Sequence, residues 1–145
     1  MATILIVEDD PDLRETLAEI LLCERYQVLT AAHGHEGLLL LSSLRVLPDV
    51  ILLDLRMPVM DGREFRSVLR GDPVWQVIPV VVYSGTPDFC PPDDLEPLAA
   101  NLLKPVEIPV LLQVLAGCCR GQAVSAVSHT EIERYEEEEE PLLAA

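Results

Sequence analysis

Four apolar runs in this 145-residue chain each deliver a polar residue at their carboxyl end. Ile4–Val7 runs into Glu8 and Asp9, Val50–Leu53 into Asp54, Pro79–Tyr83 into Ser84, and Leu102-Leu103 into Lys104. Three carboxylates, a hydroxyl and an amine suit one kind of chemistry if they share a crevice. Two carboxylates about 4 Å apart repel by ~4 kcal/mol at an effective dielectric near 20, so a cluster of three calls for a cation. Hard oxygen ligands in small number suit Mg2+, which completes its shell with water and phosphate oxygens. Mn2+ suits the same ligands. A carboxylate can also attack phosphorus and carry an aspartyl phosphate. That transfer needs mainly positioning and neutralisation of charge on the phosphoryl oxygens. Asp54, on the central run, is the candidate nucleophile. Glu8 and Asp9 would hold the cation, Ser84 would donate to one phosphoryl oxygen and Lys104 would pair with another.

Any one of these residues alone is weak. An acid after a strand commonly caps the next helix, and a single lysine is ordinarily a surface residue. Their recurrence on four successive runs is what carries weight. Lys104 is also the only lysine, the other nine basic residues being arginine. A compact ammonium and a planar guanidinium differ as phosphate partners, so the one ammonium is singled out.

The elements that position these residues alternate. Ile4–Val7 has the continuous apolar pattern of a strand covered on both faces. Asp10 and Pro11 open a helix as N-cap and first helical residue, with Leu13, Leu17, Ile20 and Leu21 as its buried face. Val28–Ala31 reads as a second strand and 35–47 as a leucine-rich second helix stopped by Pro48-Asp49. Val50–Leu53 is a third strand, 57–62 a turn, and Arg63–Arg70 a third helix with Phe65, Val68 and Leu69 inward. Pro79–Tyr83 is the fourth strand. Pro87, Pro91, Pro92 and Pro97 leave a fourth helix short or irregular. Asn101–Leu103 is a fifth strand. Val106 to about Arg120 is the last helix, carrying Val110, Leu111, Val114 and Leu115.

Strands alternating with helices imply βαβ units and a parallel sheet. The expected architecture is α/β around such a sheet, for which right-handed crossovers leave few topologies. Ligands of such sheets bind outside the carboxyl ends of the strands, at the switch in strand order.

The net charge of -15 argues against nucleic acid or an anionic membrane as direct partner. Cys23, Cys90, Cys118 and Cys119 lack metal-site spacing and read as reduced thiols. No apolar run approaches the ~20 residues of a membrane span, and no secretory leader is seen. These features lead us to expect a soluble, cytoplasmic protein. Residues 131–145 hold seven Glu and one Arg. The segment 121–145 is therefore expected to be an acidic, solvated and disordered tail, after a domain at 1–120.

ATILIVEDDP, DVILLDLRMPVMDG, PVVVYSG and LLKPV, in that order, resemble the receiver domain of two-component response regulators, of the stand-alone, chemotaxis-regulator kind. The resemblance covers about residues 2–120, and the run Asp54 to Gly62 is its most specific part. It implies a five-stranded, flavodoxin-like, doubly wound (βα)5 fold in strand order 2-1-3-4-5. It implies that Asp54 is the phosphoacceptor and that Glu8, Asp9, Asp54 and the backbone carbonyl of Arg56 bind Mg2+. It makes Ser84 the switch hydroxyl and Lys104 the phosphate-binding lysine, with a cis bond before Pro105. Arg56 and Thr86, each two residues past a site residue, would tune the lifetime of the phosphate.

The chain departs from the family at Asn101, where receivers usually carry an aromatic residue that moves with the switch hydroxyl. Tyr83 points to the face opposite Ser84 by strand alternation and so is not expected to substitute. The resemblance implies a signalling phosphoprotein in a phosphorelay, not an enzyme acting on a separate substrate. It would take a phosphoryl group from a histidine kinase or a phosphotransfer protein and signal by protein–protein contact. The alternative is a receiver-fold interaction module that has lost switching. A haloacid-dehalogenase-like phosphatase is disfavoured by Arg56, which stands where such enzymes place a second Asp. Flavin binding is disfavoured by the scarcity of stacking aromatics.

Overall fold

Alternation along each strand decides which helix it meets. In the computed structural model, which describes residues 1–54, 60, 62–84, 100–104 and 107–119, β1 is Thr3–Val7 and β2 is Gln27–Ala31. β3 is Val50–Leu53, β4 is Val80–Ser84 and β5 is Ala100–Leu103. The helices are α1 (Pro11–Cys23), α2 (Gly34–Ser43), α3 (Gly62–Gly71) and α4 (Ile108–Cys119), with a single 3-10 turn at Trp75–Val77. All strand pairs are parallel, in the order β2-β1-β3-β4-β5. The β2-β1-β3-β4 order and the flavodoxin-like winding are those expected from the sequence.

Ile4, Ile6, Val50, Leu52, Val81, Tyr83 and Leu102 face one way, onto Leu17 and Leu21 of α1 and Val110, Leu111, Val114 and Leu115 of α4. Leu5, Val7, Ile51, Leu53, Val80 and Val82 face the other way, onto Leu41 of α2 and Phe65 and Leu69 of α3. The sheet is thus the middle of three layers. This is why its central strands are apolar throughout rather than alternating.

Asp10 caps α1 as expected, its carboxylate accepting from the Asp12 and Leu13 amides at 3.0 and 3.4 Å. The second helix is shorter than the leucine run suggested. It starts at Gly34, capped by His33, whose Nδ1 accepts from the Glu36 amide at 3.2 Å. It ends at Ser43 because Leu44 turns extended. There Ser42 and Ser43 donate their hydroxyls back to the carbonyls of Leu39 and Leu40, a local bond that competes with helix propagation. Leu44 and Leu47 still pack on the core, from the loop.

α3 corrects one inward residue. Val68 is exposed, whereas Gly62, Phe65, Arg66 and Leu69 are buried. At about 100° per residue those four lie within one arc of roughly 100°, and Val68 falls outside it. The expected short helix between β4 and β5, and the acidic segment 121–145, lie outside the described residues.

Candidate functional site

Register brings the acids together. Val7 pairs with Leu53, so one step further along each strand Glu8 stands beside Asp54. The backbone continues the ladder there: the Asp54 amide donates to the Val7 carbonyl at 3.0 Å and the Glu8 amide to the Ala31 carbonyl at 3.1 Å. On the other side Ser84 pairs with Leu103, so the chain reaches Lys104 immediately beyond. Ser84 is thus the last residue of its strand, and Glu8, Asp54 and Lys104 each directly follow the last residue of theirs, at one edge of one sheet.

Glu8 and Asp54 are buried, at 2% and 5% exposure, while Asp9 is exposed. A carboxylate oxygen from each of the three lies within 4.8 Å of the others. Ligand oxygens around Mg2+ at 2.0–2.1 Å stand at most about 4 Å apart, so a small approach of these side chains would complete that part of a coordination shell. The donors are hard anionic oxygens with one solvent-facing member, a set that fits Mg2+ or Mn2+ and leaves room for water or phosphate.

Lys104 brings a positive charge against two of these carboxylates. Its Nζ lies 3.1 Å from Glu8 Oε2 and 3.5 Å from Asp54 Oδ1. Burial pushes the Glu8 carboxyl up to about 7, the neighbouring Asp54 carboxylate adds to this, and the Lys104 ammonium opposes both. Burial pulls Lys104 down, but Glu8 and Asp54 outweigh it and hold the ammonium above its ordinary value. Tyr83 is raised by burial.

Three supporting contacts were not anticipated from the sequence. The Arg14 guanidinium donates to the Glu8 carbonyl at 2.8 Å and the Asp9 carbonyl at 3.5 Å. It thereby pins the loop that carries both acids. A cation one helical turn past an acidic run was the only hint. The Asp10 amide donates to Glu8 Oε1 at 3.3 Å. Tyr83 shares the face of Val81, as alternation requires, yet its ring centroid is 4.8 Å from Lys104 Nζ. Parity set the face correctly, but the long side chain at the strand end still reaches the site.

Asn101 lies on β5, in register with Val82 of β4. Arg56, Thr86 and Pro105, named from the sequence as carbonyl ligand, lifetime-tuning positions and cis peptide, lie outside the described residues.

Comparison with known proteins converges on one group. Residues 4–116 match the response regulator receiver domain. Transcriptional regulatory protein GlrR of Escherichia coli (strain K12) is 35% identical over 115 residues, 79% of this chain and 25% of that protein. The positive alginate biosynthesis regulatory protein of Pseudomonas aeruginosa is 34% identical over 133 residues, covering 88% of this chain and 51% of that protein. The chain thus spans between a quarter and about half of the length of these relatives. Among solved structures, the signal receiver domain of a signal transduction histidine kinase from Syntrophus aciditrophicus is similar at a TM-score of 0.73 and 33% identity, covering 83% of this chain and 92% of that one. Chemotaxis protein CheY4 of Vibrio cholerae is similar at a TM-score of 0.70 and 31% identity, covering 80% of this chain and 97% of that one.

Proposed function

Because this chain belongs to the response regulator receiver domain family, whose members are signalling proteins, we propose that Asp54 is its phosphoacceptor. Phosphoryl transfer and Mg2+ are general to the family, as is contact with histidine kinases or phosphotransfer proteins. The finer assignment to residues is supported here by one observation above all. Glu8, Asp9 and Asp54 converge within 4.8 Å while Lys104 bridges Glu8 and Asp54.

In the proposed reaction a carboxylate oxygen of Asp54 attacks phosphorus. An O–P bond forms and the bond from phosphorus to the donor breaks, its electron pair leaving with the donor group. Glu8 and Asp9 would hold Mg2+, which would neutralise charge on the phosphoryl oxygens. Asp54 is buried and Arg14 fixes the loop opposite it, so the nucleophile and the metal-binding pair are held in one geometry before the donor arrives. Lys104 contacts Asp54 at 3.5 Å and would pair with a phosphoryl oxygen. Ser84, level with Leu103 at the same edge, would donate to another.

A receiver domain over 1–120 is part of the proposal, and the family match to residues 4–116 supports it. The Arg56 carbonyl as metal ligand, Arg56 and Thr86 as lifetime-tuning positions and a cis bond before Pro105 follow from the motif alone. A cytoplasmic setting is supported by Cys23 and Cys118, which stand outside any disulfide. Output is by contact with a protein partner.

The test is incubation with acetyl phosphate and Mg2+ followed by intact mass measurement. One phosphoryl group should be gained by the wild type and none by Asp54→Asn. A wild type that gains none, or a variant that gains as much, overturns the assignment. Asn101, on β5 where the family usually has an aromatic, favours a second reading: a receiver-fold interaction module without switching. That reading predicts no change in the backbone resonances of residues 84–100 on adding beryllofluoride and Mg2+.

A further inference from the structure

The only lysine of the chain is held from a third side. Lys104 Nζ lies 4.8 Å from the centroid of the Tyr83 ring, and that ring is 7% exposed, set in the core with Val81, Leu102 and Val110. We propose that Tyr83 is a positioning residue for Lys104: its ring face keeps the ammonium beside Asp54 when the carboxylates are engaged elsewhere. The role in phosphoryl transfer rests on the receiver reading above; the contact itself does not.

Lys104 has two carboxylate partners, Glu8 at 3.1 Å and Asp54 at 3.5 Å. Both belong to the cluster suited to a divalent cation. A cation there draws on the same oxygens and loosens both ion pairs. A lysine freed from its partners regains the rotamer freedom of a long flexible stem, which must be lost again before the ammonium can meet a phosphoryl group. The face of an aromatic ring attracts an ammonium through its quadrupole, and it offers no oxygen to Mg2+. It is therefore the one of the three contacts that a bound cation leaves in place.

The sheet fixes the ring where it must be. Tyr83 pairs with Leu102 and Ser84 with Leu103, so the ring reaches Lys104 from the strand that also carries the candidate switch hydroxyl. The ring thus couples the lysine to β4, in a chain whose β5 carries Asn101 three residues before that lysine.

The absence of any other lysine makes the contact directly observable. Protein labelled with 13C at lysine Cε gives a single resonance pair. The expected result is an upfield ring-current shift of the Lys104 Cε protons in the wild type, kept in Tyr83→Phe and lost in Tyr83→Leu. With acetyl phosphate and Mg2+, the maximal phosphorylation rate should fall about 3- to 10-fold in Tyr83→Leu and stay within about twofold in Tyr83→Phe, the range a cation–π contact covers. The Mg2+ concentration for half-maximal rate should change little, a split that general loosening of the core does not produce.

A wild-type Lys104 signal at the position of a free lysine overturns the proposal. So does a folded Tyr83→Leu protein with wild-type shift and rate. A Tyr83→Phe protein as slow as Tyr83→Leu moves the effect to the hydroxyl and also overturns it. Should Tyr83→Leu fail to fold, the wild-type shift and the Phe variant still decide. A wild type that takes no phosphate refutes the receiver reading, while the Cε shift continues to report on the contact.

Discussion

Lys104 Nζ lies 3.1 Å from Glu8 Oε2, so one of the acids suited to a metal already has a cation of its own. Coulomb attraction at such a distance is roughly 4 kcal/mol at an effective dielectric near 20 and less where solvent screens it. Glu8 must release much of it to take a divalent ion. Lys104→Ala should therefore bind Mg2+ more tightly than the wild type, roughly 3- to 10-fold by titration calorimetry, although it should accept phosphate more slowly. Weaker Mg2+ binding in Lys104→Ala would show that the lysine supports the metal site rather than competing with it.

The same pair sets a pH dependence. Burial first, then the Asp54 carboxylate, raises Glu8 from 4.5 to about 7 in the folded protein. Between those values the unfolded chain has lost the Glu8 proton while the folded one keeps it. The folded state then binds more protons, so this contribution to stability is full below about 4.5 and is lost as pH rises through 7. In metal-free urea titrations, the stability of the wild type relative to Glu8→Gln should fall by on the order of 1–3 kcal/mol across that window. Saturating Mg2+, which binds the ionised form, should reverse the trend. A wild type that tracks Glu8→Gln at every pH would contradict the burial argument.

Much of this was legible in the sequence because it depends on periodicity. Apolar runs ending in Glu8, Asp54, Ser84 and Lys104 can share an edge only if the strands are parallel, and parallel strands covered on both faces are apolar throughout. Arg14 was not legible, because its partners are the backbone carbonyls of Glu8 and Asp9, which leave no mark on side-chain spacing. Tyr83 was half legible: parity gives its face, but not the reach of a phenol at a strand end. Val68, expected inward, is exposed while Arg66 is buried, because the direction of the buried arc, not hydrophobicity alone, decides which residue of α3 turns inward.

Close packing between α2 and the segment before α3 predicts a contrast among glycines. A Cβ at Gly34 would meet Met60 Cγ at 2.8 Å and the Met60 carbonyl at 3.0 Å, whereas one at Gly71 meets nothing within 4 Å. Methionine can move aside, but the backbone oxygen cannot do so cheaply. Gly34→Ala should destabilise the protein by about 1–2 kcal/mol through overpacking. Gly71→Ala should be neutral or stabilising by up to about 1 kcal/mol, through lower entropy of the unfolded chain. Urea midpoints of the two variants are the measurement, and equal midpoints would refute the steric account.

Thiol chemistry should separate two cysteines of one helical layer. Cys118 is buried in the core that α4 shares with α1, and burial pushes its thiol up to about 11, with Cys119 adding to the shift. Cys23, at the end of α1, is exposed. The thiolate is the reactive form, so iodoacetamide at pH 8 should label Cys23 readily and leave Cys118 unmodified while the protein is folded. Peptide mass mapping reads the two sites separately. Because the folded value lies above the unfolded one, the protonated thiol favours the folded state at neutral pH, and that contribution fades as pH rises from 9 toward 11. Labelling of Cys118 should therefore appear in the alkaline range together with loss of stability. Rapid modification at pH 8 without unfolding would mean that the C-terminal turn of α4 opens independently of the core.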